Sequence, residues 1–166
     1  SPLLGKNFLQ QALFMGLLAI LVVAAIIFLR YRKAKLVVPI VVVSLTETFI
    51  ALVFTSFFGN ITLESIAAII ASVGTGVNDQ IIITDELLAG SSRLEASSFA
   101  AKVKRAFFIV VGSAATSLAT MVPILIFGGA LVKLVGFAIA TIVAVLVGVL
   151  ITRPAFAEIA QASIKD

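Results

Sequence analysis

Residues 8–58 read FLQQALFMGLLAILVVAAIIFL, then RYRKAK, then LVVPIVVVSLTETFIALVFTSFF. Two apolar runs, 8–29 and 36–58, flank a basic cluster of Arg30, Arg32, Lys33 and Lys35. A helix rises about 1.5 Å per residue, so each run exceeds the roughly 30 Å hydrocarbon core of a bilayer. Three further runs have the same character: 63–88, 106–127 and 130–152. The pattern predicts an all-α, polytopic membrane helix bundle of five transmembrane helices, with residues 1–166 forming a single transmembrane domain.

Composition agrees. Of 166 residues, 61% are hydrophobic and only 12% are charged, about half the charge of an ordinary soluble domain at roughly 25%. Too few polar side chains remain to coat a water-facing surface, so lipid is the expected solvent. Lys and Arg outnumber Asp and Glu by 12 to 8. These bases flank apolar runs instead of lining a soluble scaffold between aromatics, which argues against nucleic acid. Cys and His are absent, which excludes thiol catalysis, Cys/His zinc sites and Ser-His-Asp triads. No nucleophile–base pair or metal cluster stands in a loop, so neither an enzyme nor a cofactor or metal is expected.

The bases also orient the chain. With the amino terminus outside, Arg30, Arg32, Lys33, Lys35, Arg93, Lys102, Lys104, Arg105, Arg153 and Lys165 fall on the cytoplasmic side, leaving only Lys6 and Lys133 outside. Bases concentrate on the cytoplasmic side of membrane proteins, which sets the carboxyl terminus inside. An outside amino terminus needs an upstream span to carry it across, so at least one earlier helix is expected. The segment 89–105 alternates Arg93, Glu95 and Lys102 with Leu94, Phe99 and Val103, as expected of a short amphipathic helix on the membrane surface. Arg153-Pro154 is expected to end the fifth span.

Ionisable groups inside a span are costly, about 2.5–3.5 kcal/mol at its centre, and mark function more often than packing. Glu47 falls mid-way along the second run and Asp79 in the inner half of the third. With no Lys or Arg read at comparable depth, both are expected as neutral acids able to exchange a proton. Ser72, Gly76, Asp79 and Gln80 recur at helical spacing, as do Ser113, Thr116, Ser117 and Thr120. The two polar stripes are expected to face each other and to line a wet path. A tight interhelical seam is the structural alternative. Gly74 and Gly76 loosen the helix beside Asp79. Pro123 denies Ala119 a hydrogen bond. Asp85 and Glu86 are expected in water at the inner face.

Four segments resemble the SecD/SecF family of protein-export membrane proteins, within the RND superfamily. They are the opening Ser1-Pro2-Leu3-Leu4-Gly5-Lys6, the motif Val73-Gly74-Thr75-Gly76-Val77-Asn78-Asp79-Gln80-Ile81-Ile82-Ile83-Thr84-Asp85-Glu86, the run Lys104-Arg105-Ala106-Phe107-Phe108, and Leu134-Val135-Gly136-Phe137-Ala138 with Thr152-Arg153-Pro154-Ala155-Phe156. The flavour is closest to the archaeal SecD branch. The resemblance implies a membrane half whose first helix and external domain lie outside this chain. It implies a SecF-like membrane partner, the Sec translocon with its SecY-type channel, a translocating unfolded polypeptide, and drive from the proton or sodium gradient. Asp79 would carry the ion, with Asn78, Gln80 and Glu47 beside it. The bacterial SecD register instead sets the family's acid at Asn78, and Gly112-Ser113-Ala114 stand where those members carry Asp and Asn. The cation that pairs with the acid in the family is expected from the partner. Rival readings are a small-molecule or lipid efflux transporter of the same superfamily and a structural membrane scaffold.

Overall fold

The computed structural model describes residues 2–58, 61–88, 98–128 and 132–165. They form helices α1 (Pro2–Tyr31), α2 (Ala34–Phe58), α3 (Leu63–Leu88), α4 (Phe99–Phe127), α5 (Val132–Val147) and α6 (Arg153–Lys165), with a π-helical turn at Gly148–Thr152 joining the last two. Among the described residues, five helical stretches are long and apolar enough to cross a membrane. The fifth, Leu134–Ile164, runs through α5, the π turn and α6.

Local chemistry sets the ends. Arg32 closes α1 in the left-handed region at φ 52°, its N–H donating to the Phe28 carbonyl at 2.7 Å. A non-glycine residue there costs of order 1–3 kcal/mol, so this corner is held by the packing of the helices on either side. At the start of α3, the Thr62 N–H donates to Ser65 Oγ (2.8 Å) while the Ser65 N–H donates to Thr62 Oγ1 (3.3 Å). This reciprocal arrangement satisfies two donors that a helix start otherwise leaves open. Ser98 caps α4 by accepting from the Ala101 N–H.

Helix α3 is the hub, touching α1, α2, α4, α5 and α6. Half of its spanning window is buried, against 6% for the first span and 11% for the fourth. Ala68 and Ile69 of α3 cluster with Ala140 of α5, and small side chains of this kind permit close approach between helices in lipid. Ile27, Ile40, Val43, Val77, Ile83 and Phe156 build the main core. The outer faces carry exposed Phe14, Leu21, Phe57, Phe108, Phe127 and Leu150, a surface suited to hydrocarbon and not to water.

Three expectations need correcting. The first helix begins at Pro2 and the fourth at Phe99, each about two turns earlier than the apolar runs suggest. Of the segment 89–105, residues 99–105 are the opening turns of α4 and not a separate surface helix; residues 89–97, with Arg93 and Glu95, lie outside the described residues. Arg153-Pro154 does not end the fifth span. Pro154 follows directly on the π turn, and the helix continues past it to Lys165. Helix α4 continues through Pro123 to Phe127.

Candidate functional site

Three ionisable side chains from three helices meet inside the bundle. Glu47 lies on α2, Asp79 on α3 and Arg153 at the start of α6, with 4%, 8% and 3% of their surfaces exposed. One guanidinium serves both acids. Its Nη1 donates to Glu47 Oε2, while Nε and Nη2 both reach Asp79 Oδ2 at 3.2 Å. The Thr152 hydroxyl sits 2.8 Å from the same Glu47 oxygen and accepts from Arg153 Nη1 at 2.8 Å. A planar fork of donors can bridge two carboxylates in this way, which the point charge of a lysine cannot.

The backbone gives way to make room. A Cβ on Gly76 would stand 3.1 Å from both Arg153 Nη2 and Glu47 Oε1. A Cβ on Gly148 would stand 2.5 Å from Arg153 Nη1. Two glycines thus admit the guanidinium between helices. Gly74, by contrast, faces open space and plays no part in the approach.

A small cavity of about 20 Å³ adjoins the triad, lined among others by Ser72, Thr75, Asp79, Ser113, Ser117 and Arg153. That is the volume of roughly one water, and its hydroxyls and carboxylate offer the two to four partners a water needs. The expected meeting of polar stripes is therefore half present. Ser72 and Asp79 share this cavity with Ser113 and Ser117. Thr116 and Thr120 are exposed and bond back to the carbonyls of Ser113 and Ser117 at 2.7 and 2.8 Å. Asn78 is exposed on the far side of α3. Gln80 is fully buried; its Oε1 lies 3.5 Å from Ser44 Oγ, and its Nε2 has no hydrogen-bond partner among the described residues.

The expectation that Glu47 and Asp79 lack an internal cation is overturned: Arg153 pairs with both. The residue sits at the end of an apolar run and before a proline, and so reads as a terminator. A usable signal was present, since Arg153, Phe156, Ala157 and Ala160 recur at spacings of three, four and seven, one helical face. That face is buried throughout.

A second charged group lies six residues further along α3, about 9 Å at helical rise. Arg30 Nη2 pairs with Asp85 at 2.5 Å, the Tyr31 hydroxyl donates to the other Asp85 oxygen at 2.6 Å, and Arg105 pairs with Glu86 at 3.0 Å. Asp85 and Glu86 are thus paired at a partly exposed surface, not simply solvated.

Residues 1–161 match the family described as protein export membrane protein SecD/SecF, C-terminal. The chain is 46% identical to the protein-export membrane protein SecD of Methanocaldococcus jannaschii, over 99% of this chain and 40% of that protein. It is 43% identical to the protein of the same name from Thermococcus gammatolerans, over 97% of this chain and 31% of the relative. The protein translocase subunit SecD of Alicyclobacillus acidocaldarius is 33% identical over 90% of this chain and 35% of its own length. The chain thus spans 40% or less of these relatives. No solved structure matches.

Proposed function

The chain belongs to the SecD/SecF C-terminal family of protein-export membrane proteins, and from that we propose that it is the membrane part of an accessory subunit of the Sec export machinery. In this reading Glu47, Asp79 and Arg153 form its ion-coupling site. A SecF-like half pairs with it, a SecY-type channel holds the translocating polypeptide, and the amino terminus faces outward as the bases require.

One observation carries the reading: two buried carboxylates share a single guanidinium. With all three ionised the triad holds a net charge of minus one in a low-dielectric interior, where an unbalanced charge is costly. One proton or one monovalent cation restores neutrality. Asp79 engages Arg153 through Oδ2 and also lines the water-sized cavity, so it is the acid placed to receive that ion. Each elementary charge crossing the full field releases about 2.3 kcal/mol per 100 mV, and a few such transfers suffice to move a domain. Ser113 and Ser117 give the ion a polar approach.

The test uses the full-length protein with its partner, reconstituted with the channel. Asp79→Asn is expected to abolish the gradient-dependent part of export while the complex still assembles. Full gradient-dependent export by that variant would return the triad to the role of interhelical glue.

A further inference from the structure

Gly148–Thr152 is the only π-helical stretch among the described residues. It sits directly before the cation of the triad. The Arg153 N–H donates to the carbonyl of Gly148, five residues back, where a regular helix would use the residue four back. Such a turn carries one extra residue, so everything after it lags the α-helical azimuth by about 100°. The lag points Arg153, Phe156, Ala157 and Ala160 inward together.

Resting on the coupling role given above to the triad, we propose that this π turn is a two-register element, with Gly148 and Thr152 as the residues that position Arg153. In the π register the guanidinium lies against Gly148 and between the two acids. In the α register α6 turns by about 100° relative to α5. Arg153 then leaves the acids, and Thr152 takes over its azimuth. Glu47 and Asp79, left facing a neutral hydroxyl, are balanced by protons or monovalent cations instead of by the guanidinium. Ion loading and helix rotation thereby become one event.

Four features of this stretch fit two registers. Gly148 has no side chain to clash with the guanidinium in the π state. Thr152 already lies 2.8 Å from Glu47 Oε2 and 3.2 Å from the Gly148 carbonyl, so its hydroxyl helps hold one state and is placed to enter the site in the other. Pro154 supplies no N–H in either register, and its ring, which crowds the carbonyl four residues back in a regular α-helix, makes the π register the resting one. Leu150, within the turn, is 70% exposed, so little packing of its side chain opposes a change of register.

Two measurements on the full-length complex test this. Deleting Leu150 removes the extra residue. The helix becomes regular while Arg153 keeps its present azimuth, so the site is retained and the rotation is lost. Gradient-dependent export is expected to fall to the level of Asp79→Asn, with assembly intact. The second measurement leaves the turn untouched. A single cysteine at Ala160, in a background otherwise free of cysteine, is buried in the present register and turns outward in the other. Its labelling by a water-soluble maleimide is expected to rise roughly tenfold when the gradient is applied, as when a minor state of at most about 10% becomes dominant. Labelling that ignores the gradient, or deletion of Leu150 with export within twofold of normal, overturns the register change. Should the deletion variant fail to accumulate, the labelling decides alone. Loss of export in Asp79→Asn together with normal export after the deletion would sink this inference but leave the coupling site standing.

Discussion

Replacing Arg153 by Gln removes the cation and leaves Glu47 and Asp79 buried with only Thr152 and each other. Breaking a buried ion pair by removing one partner costs about 3–5 kcal/mol, because the charge left behind is uncompensated. Here one guanidinium is shared by two acids, so its loss breaks two pairs at once and the upper end of that range applies. For a chain of this size each kcal/mol moves the melting temperature by about 2–4 °C, so a loss near 5 kcal/mol gives a fall of roughly 10–20 °C. The assay is thermal unfolding of the purified complex in detergent at neutral pH. Arg153→Lys is expected to recover only part of the loss, since a single ammonium cannot span both acids. Asp79→Asn alone leaves Glu47 paired with Arg153 and is expected to cost far less. Adding it to Arg153→Gln removes one of the orphaned charges, so the double variant should melt above the single one, with a coupling energy of about 0.5–3 kcal/mol. An Arg153→Gln protein melting within 2 °C or so of the parent would refute the reasoning, because the acids would then not depend on the guanidinium.

The two glycines of α3 make a paired control. Gly76→Ala forces a methyl within 3.1 Å of Arg153 and Glu47 and is expected to cut gradient-dependent export several-fold, whereas Gly74→Ala meets open space and should leave export unchanged while stabilising the helix by up to about 1 kcal/mol; equal effects from both would mean the close approach at Gly76 is not what matters. Asp85→Asn weakens the contacts to Arg30 and Tyr31 at a partly exposed surface, where such pairs contribute about 0–1 kcal/mol. The melting temperature should shift by no more than about 4 °C, and export should persist; loss of export there would move the ion path to the end of α3.

What the sequence determined by itself was the list of spans. Bilayer thickness is fixed, so a run of some twenty apolar residues such as 36–58 declares its role without reference to any other part of the chain. The same locality made Glu47 and Asp79 conspicuous, since each is a charge within such a run. Helix starts were less legible. The opening turns of α4 carry Lys102, Lys104 and Arg105, which read as loop by hydropathy but form helix once Ser98 caps them.

The tertiary structure alone decided what the acids meet. Arg153 lies 106 residues from Glu47 and 74 from Asp79, and nothing in a local window records which helices will pack together. At the end of an apolar run and before Pro154, it carries the same local signature as a residue that terminates a span. The π turn then shifts its azimuth by about a whole residue, so even a correct helical periodicity carried forward from α5 would have aimed Arg153 away from the acids. Hydropathy is summed along the chain, and so the sequence could state it. The triad is a consequence of packing and register, which exist only once the helices have come together.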